Sequence, residues 1–351
     1  MKKIELKTQK PARFMWLFFA ISLFLIEACT QKKKTTDEVT EETDTSEAID
    51  ELVGVTHPEW SYDKNIYEVN IRQYSEEGNF AGFEKHLPRL KEMGVDILWF
   101  MPIHPIGEKK RKGELGSYYA VKDYLAVNPE FGTMEEFKAL VKKIHDMDMY
   151  IILDWVANHT AWDNPLIEEH PEWYTTDSLG NIIAPVEDWS DVADLNYDNF
   201  EMRKYMVDAL KFWVEEADID GYRCDVAGMV PNDFWVVARD ELDKIKPVFM
   251  LAEWDEPELH MAFDMTYAWG LMHTINQIAE GKKNAMHLDT FFMEDTKKYE
   301  KEHFRMLFTS NHDENSWNGT VYERYGDGAK TFAVLTATAP GMPLIYSGQE
   351  A

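Results

Sequence analysis

From Ser61 onward, short apolar runs rich in β-branched and aromatic residues alternate with stretches whose apolar positions recur every three or four residues. The runs Asn65–Asn70, Val95–Met101, Met149–Trp155, Gly221–Val226, Val248–Glu253, Met261–Met265, Arg305–Ser310 and Met342–Tyr346 read as eight strands. Between them, Phe83–Met93, Met134–Met147 and Met202–Glu216 read as amphipathic helices. In the last of these, Met206, Leu210, Phe212 and Trp213 recur at helical spacing, a face expected to lie on a core. Eight strands in strand–helix alternation predict an α/β fold, a (β/α)8 TIM barrel with its site at the carboxyl ends of the strands.

The spacing of acids at the predicted strand ends agrees. Asp225 to Glu253 is 28 residues, one helix plus one strand, and Glu253 to Asp313 is 60, two such units. Asp154 to Asp225 is 71, roughly 40 more than a single unit requires. The excess, about 157–199, is rich in Trp, Pro, Asp and Gly and lacks helical periodicity, which predicts a small inserted domain after strand 3. Pro102 to Gly132 is a second, shorter excursion, and its Lys109-Lys110-Arg111-Lys112 run reads as a solvated loop. The chain stops at Ala351, five residues after the eighth strand. Parallel barrel strands need cover on both faces, so the expectation is a truncated sequence without the last barrel helix and any C-terminal β-domain.

Ahead of this body lies a different kind of sequence. Lys2, Lys3, Lys7, Lys10 and Arg13 precede an apolar run, Phe14–Ile26, of secretory-signal length and too short to span a bilayer comfortably. It ends Leu25-Ile26-Glu27-Ala28-Cys29, which resembles the lipobox of bacterial lipoproteins, with Cys29 bearing the lipid; Glu27 is atypical there, and a plain signal peptide or an uncleaved anchor is the alternative. Residues 1–29 are therefore read as the signal, 30–52 as an acidic, disordered linker, and 53–351 as the barrel. The expected location is exported and membrane-anchored, periplasmic or at the cell surface.

Composition narrows the function. Among 351 residues, 36 Lys+Arg against 64 Asp+Glu give a net charge of −28, which argues against nucleic acid as a partner. Only two cysteines are present, Cys29 and Cys224, so a disulfide scaffold and a Cys-based zinc site are both excluded. Twelve Trp and sixteen Tyr suit sugar rings as well as a core.

The chemistry sits at four strand ends: Asp154-Trp155-Val156-Ala157-Asn158-His159-Thr160, Gly221-Tyr222-Arg223-Cys224-Asp225, Leu251-Ala252-Glu253-Trp254 and Thr309-Ser310-Asn311-His312-Asp313-Glu314-Asn315. A period of two puts Arg223 and Asp225 on one face, where the Arg is expected to keep the acid ionised as a nucleophile. Glu253, beside Trp254, is expected to be desolvated and protonated as a general acid. One carboxyl charged and its neighbour protonated is the requirement of retaining glycoside hydrolysis.

These segments, together with Val192-Ala193-Asp194-Leu195-Asn196, Gly116–Tyr124 and Pro340–Glu350, resemble the conserved regions of the α-amylase family of retaining α-glucan hydrolases and transglycosidases (glycoside hydrolase family 13), in order and from about Trp60 to the last residue. The resemblance implies that Asp225 is the nucleophile, Glu253 the acid and then the base, and Asp313 the residue that grips the sugar's 2- and 3-hydroxyls. It further implies that Arg223 bonds Asp225, that Asp154 orients Arg223, that His159 and His312 donate to sugar hydroxyls, and that Tyr119 stacks on the same ring. For Tyr119 a core role, and for His159 a supporting role, are the plainer alternatives. In many members Ca²⁺ is held by residues matching Asn158 and Asp194, hard oxygen donors both; plain hydrogen bonding by Asn158 is the alternative. Gly228 and Met229 stand where α-amylases often have Lys and His, which puts the usual leaving-side substrate contact in doubt.

The expected activity is thus cleavage of α-1,4-glucosidic bonds of starch, maltodextrin or related α-glucans through a covalent glycosyl-enzyme. A 4-α-glucanotransferase would use the same residues. A non-catalytic glycan-binding protein on the same barrel would be expected to have lost carboxylates that this sequence keeps.

Overall fold

The computed structural model describes residues 55–351; the readings of the signal, the lipid-bearing Cys29 and the whole linker fall outside them. Ten strands occur in chain order: β1 Ile66–Val69, β2 Ile97–Phe100, β3 Tyr150–Trp155, β4 His159–Ala161, β5 Val192–Asp194, β6 Gly221–Cys224, β7 Phe249–Ala252, β8 Met265–Tyr267, β9 Phe304–Leu307 and β10 Met342–Tyr346. Eight of them close a parallel barrel in the order β1-β10-β9-β8-β7-β6-β3-β2. The seam pairs Ile66 with Leu344 and Glu68 with Tyr346. The expected (β/α)8 architecture is present.

Side chains alternate across the barrel wall with a period of two. Ile66, Ile97, Trp99, Ile152, Phe249, Leu251, Met265, Tyr267, Met306, Met342 and Leu344 form one apolar cluster, the barrel interior. Tyr67, Leu98, Phe100, Leu153, Trp155, Tyr222, Met250 and Ala252 belong to another, shared with the helices outside. Inward positions near the carboxyl ends then fall to Glu68, Asp154, Arg223, Asp225 and Glu253. The same alternation that packs the core thus gathers charge at the mouth. Gly221 is required by this geometry: its φ is +151°, and a Cβ would lie 1.8 Å from the Phe249 carbonyl oxygen on β7.

The helices follow local chemistry. Met134–His145 starts with a capping box, Thr133 accepting from the Glu136 amide and Glu136 from the Thr133 amide, worth about 1 kcal/mol. It buries Phe137, Leu140, Val141 and Ile144 on one side. Phe200–Ala217 buries Met206, Leu210 and Trp213 as expected, while Phe212 is half-buried. The Trp213 indole donates to the Tyr124 carbonyl at 2.7 Å, so truncating it to Ala would cost about 3–5 kcal/mol.

Two elements differ from the sequence reading. The helix expected over Phe83–Met93 is two, Phe80–Glu84 and Leu87–Met93, because Pro88 lacks the amide needed to continue the first. The strand expected at Met261–Met265 is displaced to Met265–Tyr267, since Pro257 opens a 3₁₀ turn that consumes the apolar residues up to Met261.

Residues 157–199 hold β4 and β5, paired antiparallel, with a short helix Leu166–Glu169 between them. The excursion 102–132 leans on this segment. The Ala161 amide donates to the Val121 carbonyl at 2.9 Å, and Lys122 pairs with Asp163 at 3.2 Å. The Lys109–Lys112 run is anchored, not simply solvated: Lys110 lies 3.3 Å over the Trp162 ring, Arg111 donates to the Gly107 carbonyl, and Lys112 donates to the Asp188 carbonyl.

Candidate active site

The mouth is organised by one cation. Arg223, on β6 and without solvent exposure, donates from Nη1 to Asp154 Oδ1 at 2.7 Å and to Asp225 Oδ1 at 3.1 Å. Its Nη2 lies 2.6 Å from Glu253 Oε1 as an ion pair, with neither N–H aimed along the contact. Nε donates to Tyr267 Oη at 3.2 Å, and the guanidinium sits 5.0 Å from the centre of the Trp99 ring. Trp99 Nε1 in turn donates to Asp154 Oδ2 at 3.1 Å. Asp154 and Asp225 thus both accept hydrogen bonds from Arg223.

Arg223 does act to lower the Asp225 pKa, in the expected direction, but other influences outweigh it. The guanidinium is divided among three carboxylates, and burial together with the charge of Glu253 pushes the Asp225 carboxyl well above its ordinary range. Glu253 is also pushed up, chiefly by burial, with Asp313 adding to it. The Trp254 ring packs on the bare backbone of Gly228, where a Cβ would lie 2.2 Å from the indole. Two carboxyls at one buried guanidinium compete for its charge, so each raises the other's affinity for a proton. Val226, next to the nucleophile candidate, has φ +37°, a strained conformation for a β-branched residue, and its amide donates to Glu253 Oε2 at 2.7 Å.

Asp313 is not on a strand. It lies in the first turn of a short helix, His312–Trp317, that Asn311 caps through the Glu314 amide. There it remains partly exposed and faces Asp225 and Glu253 across a cavity of ≈ 490 Å³. Tyr119, His159, His312, Trp189, Lys112 and Trp317 line the same cavity. Tyr119 Oη donates to Asp154 Oδ2 at 3.1 Å and lies 2.7 Å from His312 Nε2. Its ring stacks on His312 with centroids 5.4 Å apart. His159 is buried beside Trp189, and burial lowers its pKa to about 4, so it is neutral.

Among the contributors missed in the sequence, three are instructive. Glu68 is an acid in an apolar strand, on an inward position, and that anomaly was readable. Tyr267 was hidden by the misplaced sixth barrel strand. Trp317, 81% exposed at the cavity rim, has no local pattern to mark it.

Asp194 stands opposite His159 in the β4–β5 pair, and just before β4 the Asn158 carbonyl accepts from the Leu195 amide at 3.1 Å. Burial raises the Asp194 carboxyl, and among the described residues no basic group lies within ion-pair reach of it. The Asn158 amide nitrogen is 3.3 Å from His159 Nδ1. Calcium takes six to eight oxygens, and among the described residues no group of three or more His, Cys, Asp or Glu side chains is arranged to hold a metal ion. The residues present do not by themselves make up a calcium site, and no step below runs through a metal.

Comparison with known proteins fits this geometry. The model of the alpha-amylase catalytic domain matches residues 38–178 and 186–247; Glu253 and Asp313 lie beyond the match and are placed by the fold. A crystal structure of an alpha-amylase from Lactobacillus plantarum is 39% identical, covering 82% of this chain and 71% of that one, with a TM-score of 0.77. A maltogenic alpha-amylase from Thermotoga neapolitana is 38% identical over 82% of this chain and 68% of its own, with a TM-score of 0.75. An alpha-amylase of Haloarcula japonica is 26% identical over 308 residues, 84% of this chain but 45% of the relative. The chain thus spans about half the length of the curated relatives it matches. With the barrel, the family model and these relatives in agreement, the chain belongs to the alpha-amylase catalytic-domain family.

Proposed function

We propose that this chain is the catalytic domain of a retaining glycoside hydrolase acting on α-1,4-linked glucans. The observation that carries the reading is the pair Asp225 and Glu253 on neighbouring strands, both at one buried guanidinium, with Asp313 across an open cavity. In the first step the Asp225 carboxylate attacks the anomeric carbon while Glu253 gives its proton to the glycosidic oxygen, leaving a glycosyl ester on Asp225. In the second, Glu253 takes a proton from water, which attacks the same carbon and releases Asp225. Glucose units stack on Tyr119, and Asp313, His312 and His159 hold hydroxyls whose contacts tighten as the ring flattens toward the oxocarbenium-like state.

The test is anomer-resolved NMR of products from maltooligosaccharides and soluble starch, with Asp225→Asn as control. Shorter α-anomers, absent with the control, are expected. Initial β-anomers would overturn retention, chains redistributed upward in length would make it a glucanotransferase, and glucan binding without turnover would leave a binding protein. Export and membrane attachment through a lipid on Cys29 are part of the same proposal; incorporation of an alkyne fatty acid should be lost in Cys29→Ser. Calcium at Asn158 and Asp194 rests on the family resemblance alone. A Tm that rises with Ca²⁺ and falls with chelator, and does neither in Asp194→Ala, would support it.

A further inference from the structure

Besides Asp154, which holds Arg223, a second fully buried inward carboxylate takes no direct part in the proposed reaction. Glu68 is on β1, fully buried, at the inward position that pairs with Trp99 on one side and Tyr346 on the other. Its Oε1 lies 2.6 Å from His312 Nδ1, and its Oε2 has no hydrogen-bond partner. His312 Nε2 then meets Tyr119 Oη at 2.7 Å and Asp313 Oδ2 at 3.4 Å, both on the cavity side. A chain of contacts thus runs from the β1 side of the barrel mouth to the group expected to grip the sugar.

We propose that Glu68 is a positioning residue, which acts through His312 Nδ1 to fix that ring as a double donor with its Nε2–H turned toward Tyr119, Asp313 and the sugar hydroxyls. The inference rests on the reading of the cavity as a sugar site. The charges around the ring support it. Facing His312 are Glu68 from β1, Tyr119 from the loop after β2, Asp154 from β3, Arg223 from β6, Glu253 after β7, and Asp313 on its own helix. Acids outnumber the single guanidinium. Burial alone would keep the imidazole neutral, yet Glu68 and Asp313 raise its pKa to about 9. Burial also pushes Glu68 up, so it competes with His312 for a proton across their 2.6 Å contact. Asp313 Oδ2, 3.4 Å from Nε2, favours that proton on His312. A charged donor at this point is stronger than a neutral one and has no acceptor capacity to compete for hydroxyl protons.

The experiment is ¹⁵N NMR titration of the His312 imidazole in the full chain and in Glu68→Gln, with kinetics on maltooligosaccharides from pH 5 to 9. In the wild type His312 stays doubly protonated at neutral pH and titrates near pH 9. In Glu68→Gln its midpoint drops below 7, and kcat falls about 10- to 100-fold at pH 8 but far less at pH 5.5. Glu68→Asp, which keeps the charge, restores part of the alkaline activity. A loss equal at every pH would mean a structural role and overturn the proposal. So would a wild-type His312 already neutral at pH 7, a result that needs no variant to fold. A charged His312 in a protein that cleaves no glucan would instead sink the proposed function and leave this inference standing.

Discussion

Arg223 and Arg239, two of the buried arginines that anchor carboxylates among the described residues, do opposite things. Arg239, on the helix Asn232–Asp243, lies near the start of β8 and donates to Asp264 Oδ2 at 2.8 Å, Asp264 Oδ1 at 3.4 Å and Asp243 Oδ2 at 2.7 Å. Its remaining donors reach the carbonyls of Ala262 and Thr56. Asp264 is satisfied in return by the Met250 amide and by His57 Nδ1, both at 2.7 Å. Charge and hydrogen bonds close on themselves. Arg223, at the other end of the strands, is shared by Asp154, Asp225 and Glu253, with Asp313 nearby, and its Nη2 has an ion-pair neighbour without a hydrogen bond. There the acids outnumber the cation, so ionising them costs free energy. A balanced cluster holds a fold together; an overdrawn one stores the proton affinity that catalysis uses.

The sharpest way to break the comparison is to neutralise each cluster. Asp225→Asn should abolish turnover, by about 10⁴-fold or more, while raising stability by about 1–2 kcal/mol; rates on maltooligosaccharides and urea denaturation read the two effects. Arg239→Ala leaves Asp264 buried and uncompensated, so it should lose about 3–5 kcal/mol in the same denaturation. Whatever protein stays folded should keep its turnover number. If Asp225→Asn destabilised as much as Arg239→Ala, the distinction between the clusters would fail.

The contrast also explains what could be read from the sequence. Acids such as Asp225 and Glu253 were legible because a period of two, a strand end and a matching Arg occur within a few residues. Asp313 was legible by its neighbours although its element was misjudged, since the helix at His312 depends on a cap, Asn311, that also looks like a strand end. Asp264 and His57 were not legible. They are 207 residues apart, and only the closed barrel makes them partners. Glu68 lies between these cases: its inward position on β1 was available from the alternation, but its partner His312 is 244 residues away. Local periodicity carries the face a residue points to; which charges meet on that face is a property of closure.

The Arg239 cluster carries a smaller, pH-dependent effect. Asp264 and the Glu302 carbonyl raise the His57 pKa above its ordinary value, against burial and the charge of Arg239. A His with a raised folded pKa adds stability that is fully present below the unfolded pKa of about 6.5 and is lost as pH rises through the folded value. Urea midpoints of wild type and His57→Ala should therefore differ by about 1–2 kcal/mol at pH 5.5 and converge by pH 8.5. A gap that widens with pH would mean that the neutral ring, not the ion pair, is what Asp264 holds.

The smallest effect is expected at the rim. Trp317 is 81% exposed and lines the cavity that holds Asp225, Glu253 and Asp313. An indole this open adds little to folding, so Trp317→Ala should change stability by no more than about 0.5 kcal/mol. Its flat face is instead available to a sugar ring that extends beyond the cleavage point, a contact worth about 1 kcal/mol. KM for long maltooligosaccharides should then rise about fivefold, and KM for the shortest cleaved substrate should not move. Equal rises for short and long substrates would place Trp317 at the reacting sugar and make the rim part of the charged centre. An unchanged KM for both would confine recognition to Tyr119 and the acids around Arg223.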